Sequence, residues 1–182
     1  AEVATEQDGS RFLQTRLAAR GGDSSEVDKI YEALLPSAGK LARDHFGNFV
    51  TQKLLEGGSR EQRQKIAEQL KKDLTGLANH QFGCRVIQKA LETMADEDAK
   101  VDFVEGLSGK QVLDLIQHQH GNHVIQCLIR SMPAEALDFI VDAIAGSAEK
   151  LASHMFGCRV VQRLVEKRPE RLGEGLGKEI LP

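Results

Sequence analysis

The sequence predicts an all-α protein built as a stacked solenoid, and three observations predict it. One short phrase occurs five times: Gly9-Ser10-Arg11-Phe12-Leu13-Gln14, Gly47-Asn48-Phe49-Val50-Thr51-Gln52, Gly83-Cys84-Arg85-Val86-Ile87-Gln88, Gly121-Asn122-His123-Val124-Ile125-Gln126 and Gly157-Cys158-Arg159-Val160-Val161-Gln162. The glycines stand 38, 36, 38 and 36 residues apart, a period at which each unit buries its apolar side only against its neighbours. Within the phrase the apolar residues follow helical spacing. Counting the residue after glycine as position 1 and turning about 100° per residue, positions 3, 4, 7 and 8 form one stripe. It holds Val50, Thr51, Leu54 and Leu55, then Val86, Ile87, Ala90 and Leu91, then Val124, Ile125, Leu128 and Ile129.

Core packing accounts for that stripe and leaves the opposite arc unexplained. Positions 1, 2 and 5 share this arc. Position 1 is Ser10, Asn48, Cys84, Asn122 or Cys158; position 2 is Arg11, Phe49, Arg85, His123 or Arg159; position 5 is glutamine every time, as Gln14, Gln52, Gln88, Gln126 and Gln162. A single glutamine on a helix is an ordinary solvated residue. Five in register, each with a chosen small or amide neighbour one turn earlier, point to a ligand with a repeating structure.

The motif helices are expected near residues 10–19, 48–56, 84–92, 122–130 and 158–166, all in one domain spanning 1–182 with both ends incomplete. Residues 1–8 are polar and expected either to fray or to be the remainder of a preceding helix. Gly21-Gly22-Asp23-Ser24-Ser25 reads as a turn, with Ser24 or Ser25 capping the next helix. That helix carries Val27, Ile30, Tyr31, Leu34 and Leu35, and Pro36-Ser37 ends it before a shorter helix over 39–44. Gly57-Gly58 closes the second motif helix and Ser59 caps the next one. Ile66, Leu70, Leu74 and Leu77 then line one helical face, followed in the third unit by Val101, Val104, Leu107, Val112, Leu113, Leu115 and Ile116. Pro133 is placed in the first turn of a helix whose apolar side is Ala136, Phe139, Ile140 and Ile144. The glycine-rich tail ends with Ile180-Leu181-Pro182, where another unit would begin.

Composition narrows the function. With 41% hydrophobic residues in 182 the chain can bury a real core. It has neither an apolar run of membrane-spanning length nor a secretory leader. Three cysteines, two of them at position 1 of a repeat, read as reduced thiols of an intracellular protein, so a cytoplasmic location is expected. The net charge of -3 argues weakly against a polyanion partner, but distribution decides more than the sum. Arg11, Arg16, Lys53, Arg85, Lys89, Arg159 and Arg163 sit on the motif helices, while acids collect between them in segments such as Asp96-Glu97-Asp98. A phosphate-cradling loop and a nucleophile in a recognised setting are both missing, so no enzyme and no cofactor is expected. His118 and His120 with Cys127 lack a closed four-ligand spacing, and no metal is expected. His45, His80, His118, His120 and His154 fall just ahead of the glycines and read as junction residues.

The repeated Phe-Gly-[Asn/Cys]-x-Val-[Ile/Val/Thr]-Gln units resemble the repeats of the Pumilio and FBF family of RNA-binding proteins. The order Ser10-Arg11, Asn48-Phe49, Cys84-Arg85, Asn122-His123, Cys158-Arg159 resembles repeats one to five of an animal-type Pumilio homology domain. Departures are Phe49, where tyrosine is common, and Thr51 in place of an aliphatic residue. The resemblance implies a right-handed superhelical crescent of three-helix repeats, truncated relative to the usual eight, with the 5' UGU-reading repeats six to eight outside it. It implies binding of single-stranded RNA in messenger 3' untranslated regions, repression or decay of the message, and regulatory proteins on the convex face. RNA runs antiparallel to the protein in this family, so the expected core is 5'-AUAUA-3'.

The residue chemistry agrees with that expectation. Asn48 with Gln52, and Asn122 with Gln126, place two amides one turn apart, suited to the donors and acceptors of uracil. Cys84 with Gln88, Cys158 with Gln162 and Ser10 with Gln14 keep one amide and leave room for adenine. Arg11, Phe49, Arg85, His123 and Arg159 present planar groups on which bases stack. Lys53, Lys89 and Arg163 at position 6 are candidate phosphate contacts. Two rivals remain: a protein-binding scaffold, and a relative that grips structured or ribosomal RNA without base choice. The expected oligomeric state is monomeric.

Overall fold

A helix that opens on glycine needs something to end the helix before it and something to satisfy its first N–H groups. Both requirements are met in the same way in successive repeats. The computed structural model describes residues 1–18 and 24–170 and divides into two compact units, Ala1–Ala95 and Asp96–Pro182, each taken by itself below. Among the described residues every regular element is helical.

The first unit contains α1 (Glu2–Thr5), α2 (Gln7–Ala18), α3 (Ser24–Leu34), a 3-10 turn (Leu35–Ser37), α4 (Ala38–Leu41), α5 (Gly47–Gly57), α6 (Arg60–Lys71), α7 (Leu74–Ala78) and α8 (Gly83–Thr93). The second contains α9 (Glu97–Val104), α10 (Gly109–Gln117), α11 (Gly121–Ser131), a 3-10 turn (Ala134–Leu137), α12 (Asp138–Ile144), α13 (Ala148–Ala152) and α14 (Gly157–Lys167). A repeat is thus a short helix, a motif helix and a third helix. The motif helices are α2, α5, α8, α11 and α14. Within the first unit α2 packs on α5 and α5 on α8; within the second, α11 packs on α14.

The apolar stripe is buried as its spacing requires. Val50, Leu54 and Leu55 of α5, Val86, Ile87, Ala90 and Leu91 of α8, Val124, Ile125, Leu128 and Ile129 of α11, and Val160, Val161 and Leu164 of α14 all lie in the core. Full burial of such an aliphatic side chain stabilises the fold by about 1.5 to 3 kcal/mol. Thr51 shares the stripe because its hydroxyl is satisfied internally, donating to the Gly47 carbonyl at 3.1 Å. The first copy departs from the pattern. Phe12, at position 3, is 54% exposed, with the Arg16 guanidinium 5.2 Å from its ring centre.

The motif glycines are required by space. A Cβ on Gly83 would lie 2.6 Å from the Leu77 carbonyl oxygen, and one on Gly157 would lie 2.8 Å from that of Leu151. Each carbonyl belongs to the short helix just before, so the absent side chain lets the chain reverse tightly into the motif helix. Neither glycine has a positive φ.

The helices that flank the motif helices are fastened near their starts. Ser59 and Gln62 form a full capping box on α6, as expected of Ser59, and Ser108 with Gln111 builds the same box on α10. Arg63 of α6 donates to the Thr93 carbonyl at the end of α8, at 2.8 Å. Lys100 of α9 likewise reaches the Ser131 carbonyl at the end of α11, at 2.9 Å. Cations at these positions complement the negative helix ends.

Several expectations are corrected. The first motif helix begins at Gln7 rather than Ser10; of the two expectations for residues 1–8 it is the helical one that holds, with Glu2–Thr5 a short helix whose Ala4 is fully buried. The other motif helices include their glycine and run one residue further than expected. The expected 39–44 helix is Ala38–Leu41, because Asp44 belongs to the turn that follows. Pro133 precedes a 3-10 turn rather than lying inside an α-helix, and Leu137 is buried in that turn. Val101 is 41% exposed, while Phe103 takes its place in the core. The turn at Gly21-Gly22-Asp23, Ala19 and the glycine-rich tail lie outside the described residues.

In a helix, Gly→Ala is ordinarily stabilising by about 1 kcal/mol. Gly83→Ala is expected to reverse the sign and destabilise by roughly 1 to 3 kcal/mol, because the new methyl meets a backbone oxygen. Gly39→Ala, whose Cβ finds its nearest neighbour at 3.9 Å, is expected to stabilise. Chemical denaturation of the two variants beside the parent protein checks both signs.

Candidate functional site

The polar arc of each motif helix is set by how its first turn is tied down. Three residues ahead of the glycine stands an acceptor. Asp44 Oδ1 accepts from the N–H groups of Phe46 at 2.8 Å and Gly47 at 2.7 Å. His80 Nδ1 accepts from Phe82 at 3.2 Å and Gly83 at 3.3 Å, His118 Nδ1 from His120 and Gly121 at 3.1 and 3.4 Å, and His154 Nδ1 from Phe156 and Gly157, both at 3.2 Å. The histidines are therefore caps, and each must present an unprotonated Nδ1. Burial, and then the neighbouring His120, pull the His118 pKa below its usual value of 6.5. Asp44, which reading the histidines alone overlooks, was recognisable by its identical offset from the glycine.

Position 1 is buried rather than shared with the exposed arc. Ser10, Asn48, Cys84 and Asn122 all lie in the interior, and only Cys158 is half-exposed. Asn48 donates through Nδ2 to the carbonyls of Asp44 at 2.9 Å and His45 at 2.8 Å. Asn122 does the same to His118 at 2.8 Å and Gln119 at 3.0 Å. Ser10 donates to the Phe46 carbonyl, tying α2 to the start of α5 at 2.9 Å. The physical reason is the tight turn: it brings carbonyls within reach of a short polar side chain at position 1, and those of Asp44 and His118 accept from it in addition to the backbone N–H of Asn48 at 3.2 Å and of Asn122 at 3.1 Å. Cysteine makes only long contacts of this kind, Cys84 to Gln81 at 3.6 Å and Cys158 to Met155 at 3.8 Å. Burial pushes the Cys84 thiol pKa up, so it stays neutral.

Position 5 divides by its partner. Gln52 donates to Asn48 Oδ1 at 3.1 Å, Gln126 to Asn122 Oδ1 at 2.9 Å and Gln14 to Ser10 Oγ at 3.0 Å. Opposite cysteine there is no such acceptor. Gln88 turns to the Cys84 carbonyl at 3.1 Å, and Gln162 to Glu166 at 3.0 Å. Hence positions 1 and 5 act as a bonded pair in the Ser and Asn copies, with the asparagine amide nitrogen committed to the backbone.

Position 2 is exposed throughout: Arg11, Phe49, Arg85, His123 and Arg159 all face solvent. In the first unit Arg11 and Phe49 flank a groove of about 240 Å³, completed by Gln7, Ser10, Gln14 and Phe46.

Position 6 is more committed than its sequence suggests. Lys53 pairs with Glu56 at 2.6 Å, and Lys89 bridges Glu56 at 3.1 Å and Glu92 at 3.2 Å. The hydrogen bond from Lys53 holds the Glu56 carboxyl below its usual pKa, with burial opposing in part. Arg163 of α14 donates through Nε to Gln126 Oε1 of α11 at 2.9 Å. Among the described residues no group of three or more His, Cys, Asp and Glu is placed to hold a metal ion, and no helix is long and apolar enough to cross a membrane.

Comparison with known proteins follows this geometry. A family profile described as the Pumilio-family RNA binding repeat matches residues 1–19, 38–71, 75–101, 111–145 and 148–172. Suppressor protein MPT5 of Saccharomyces cerevisiae is 32% identical over 173 residues, covering 90% of this chain and 20% of that protein. The Pumilio domain-containing protein C6G9.14 of Schizosaccharomyces pombe is 31% identical over 177 residues, 97% of this chain and 26% of its own. Among solved structures, the Puf3 RNA binding domain bound to a Cox17 RNA 3' UTR recognition sequence matches with a TM-score of 0.89 and 38% identity, over 98% of this chain and 51% of that one. The RNA-binding domain of yeast Puf5p bound to SMX2 RNA matches with a TM-score of 0.89 and 30% identity over 98% and 51%. The chain spans about half the length of those domains.

The bonds at position 1 make some of these residues structural. Asn122→Ala is expected to destabilise the protein by about 1 kcal/mol or more, since the His118 and Gln119 carbonyls and the Gln126 amide each lose a hydrogen bond to a buried side chain; Gln52→Ala, on a half-exposed side chain, should remain near the parent in a denaturation series. The His118 cap carries a pH signature. Its folded pKa is depressed, so its contribution is complete above about 6.5 and is lost as pH falls through the folded value. Stability measured from about pH 7.5 to about pH 5 should decline, and His118→Asp, copying Asp44, should remove the His118 share of that decline.

Proposed function

Since the chain belongs to the Pumilio family of RNA-binding repeat proteins, an all-α helical-repeat architecture of non-catalytic binding modules, we propose that it binds single-stranded RNA and reads one base per motif helix. The observation that carries this reading is the recurrence in every copy of a position-5 glutamine beside an exposed planar group at position 2, with the glutamine bonded to the position-1 side chain in the Ser and Asn copies. Each motif helix then offers one base edge-on contact and one stacking surface, the combination single-strand readers use. Stacking on an aromatic face contributes roughly 1 to 3 kcal/mol per base.

The proposed letters follow from the pairs. Asn48 with Gln52, and Asn122 with Gln126, take uracil. Because the asparagine Nδ2 is engaged with the backbone, the glutamine amide and the open side of asparagine Oδ1 do the reading: the free Nε2 proton donates to a uracil carbonyl, and an amide oxygen accepts from N3–H. Cys84 with Gln88, Cys158 with Gln162 and Ser10 with Gln14 take adenine, whose larger ring needs the small side chain and whose edge bonds to the amide. Arg11, Phe49, Arg85, His123 and Arg159 stack the bases. Read antiparallel, the first unit takes the 3' letters AUA and the second the 5' letters AU, giving 5'-AUAUA-3'.

The ion pairs of Lys53 and Lys89 with Glu56 support selective rather than general polyanion binding, since those cations are already partly neutralised. The likeness to a Puf3 RNA binding domain bound to a 3' UTR recognition sequence supports messenger RNAs as the proposed targets; the proposed effect is control of their translation or decay, and the proposed place is the cytoplasm.

Equilibrium binding to 5'-AUAUA-containing RNA and its single-base variants, at one fixed salt concentration, tests the reading. Affinity should fall at each changed base. Weak binding that ignores the bases would instead favour a scaffold. Cys84→Ser with Gln88→Glu should move the middle preference from adenine toward guanine, because a carboxylate accepts from guanine N1–H and N2–H; retained preference for adenine in direct competition counts against the assignment.

A further inference from the structure

The two uracil-type pairs have the same residues and different surroundings. Gln52 is bonded to Asn48 and is half-exposed. Gln126 is bonded at both ends, to Asn122 Oδ1 through Nε2 and to Arg163 Nε through Oε1, and is 6% exposed. Position 6 of the following copy decides this. For Gln52 that residue is Lys89, for Gln126 it is Arg163.

The cause of the difference lies one turn further, at position 9. In the first unit Lys89 is drawn to Glu56, at position 9 of the preceding copy, and to Glu92 of its own helix. The residue in the register of Glu56 on α11 is Arg130. A cation there repels Arg163 instead of capturing it, and Glu166, the counterpart of Glu92, accepts from Gln162. Arg163 therefore turns its Nε–H to the amide oxygen of Gln126. Guanidinium is suited to this: it is a fixed planar donor, whereas an ammonium is a compact charge on a flexible stem.

From this we infer that Arg163 is a positioning residue that fixes the polarity of the Gln126 amide, and so sets discrimination between uracil and cytosine at the fourth letter-reading helix. The inference rests on the base-reading proposal above. A glutamine amide can rotate by half a turn and exchange its donor for its acceptor. Uracil and cytosine differ by that same exchange: O4 and N3–H in one, N4–H₂ and N3 in the other. An unclamped glutamine can serve either base. With Oε1 held by Arg163, rotation would set the amide N–H₂ against the guanidinium N–H, so the arrangement suited to uracil persists. Gln52, which lacks this clamp, is expected to discriminate less sharply at its own letter.

The test is a binding series of the whole chain against RNAs carrying uracil or cytosine at either of the two uracil letters. The variants are Arg163→Lys, Arg130→Glu and a graft, Glu56→Arg with Lys89→Arg. Arg163→Lys retains the charge but not the planar donor, and should lower the uracil-over-cytosine ratio at the Gln126 letter by about 10-fold, leaving the Gln52 letter unchanged. Arg130→Glu offers Arg163 a carboxylate and should lower the same ratio without altering Arg163. The graft should raise the ratio at the Gln52 letter. Circular dichroism melts establish that each variant is folded. If Arg163→Lys keeps the full ratio, the inference is overturned. It is equally overturned if Arg163 variants weaken all RNAs alike and reduce the salt slope by about one ion, because Arg163 is then a phosphate contact. If the parent protein shows no preference at either letter, the base-reading proposal itself fails, a result distinct from both.

Discussion

Two N–H groups at the start of each capped motif helix need an acceptor, and it stands three residues ahead of the glycine as Asp44, His80, His118 or His154. The tight reversal that creates this geometry also turns carbonyls toward position 1. Asn48 and Asn122 answer them from position 1, and in doing so each holds its Oδ1 in place for the glutamine one turn later. The bonded pair of positions 1 and 5 is thus an outgrowth of the helix cap. Glycine makes it possible, because a methyl at Gly83 or Gly157 would strike the carbonyl that ends the preceding short helix.

That dependence explains why position 1 tolerates so few residue types. Serine and asparagine can bond to the turn and still accept from glutamine; cysteine fills the same small space with weak contacts and sends glutamine elsewhere. On the proposed reading, a choice made for the base is therefore also a choice about the turn. Substitutions at position 1 will mix stability with recognition, whereas those at positions 2 and 5 act on exposed or half-exposed side chains in the first unit and report recognition more directly.

Charge at the flank of the arc follows a second rule. Lys53, Glu56, Lys89 and Glu92 alternate along α5 and α8, so cations that would otherwise meet a polyanion are held by their neighbours. On α11 the acid of this series is replaced by Arg130, and Arg163 bonds to Gln126 instead. The two copies thus differ both in the charge at position 9 and in the cation at position 6 of the next copy.

The repeat, its helical class, its buried stripe and the exposed planar groups at position 2 were legible in the sequence, because period and helical spacing are local and every copy restates them. Ser59 as a cap was legible for the same reason. Other features were not. Ala4 is buried among polar residues, Pro133 precedes a 3-10 turn, and Val101 yields its core place to Phe103, since each depends on which neighbour happens to lie across from it. Helical phase placed position 1 beside position 5 on an open arc, but the carbonyls that draw it inward belong to the turn and to residues up to 36 positions away. The engagements of Lys89 with Glu56 and of Arg163 with Gln126 are of the same kind. Sequence by itself determined which side chains each motif helix would carry and at what spacing; tertiary structure decided which of their donors and acceptors were already satisfied, because that is settled by atoms contributed from the adjoining helix and turn.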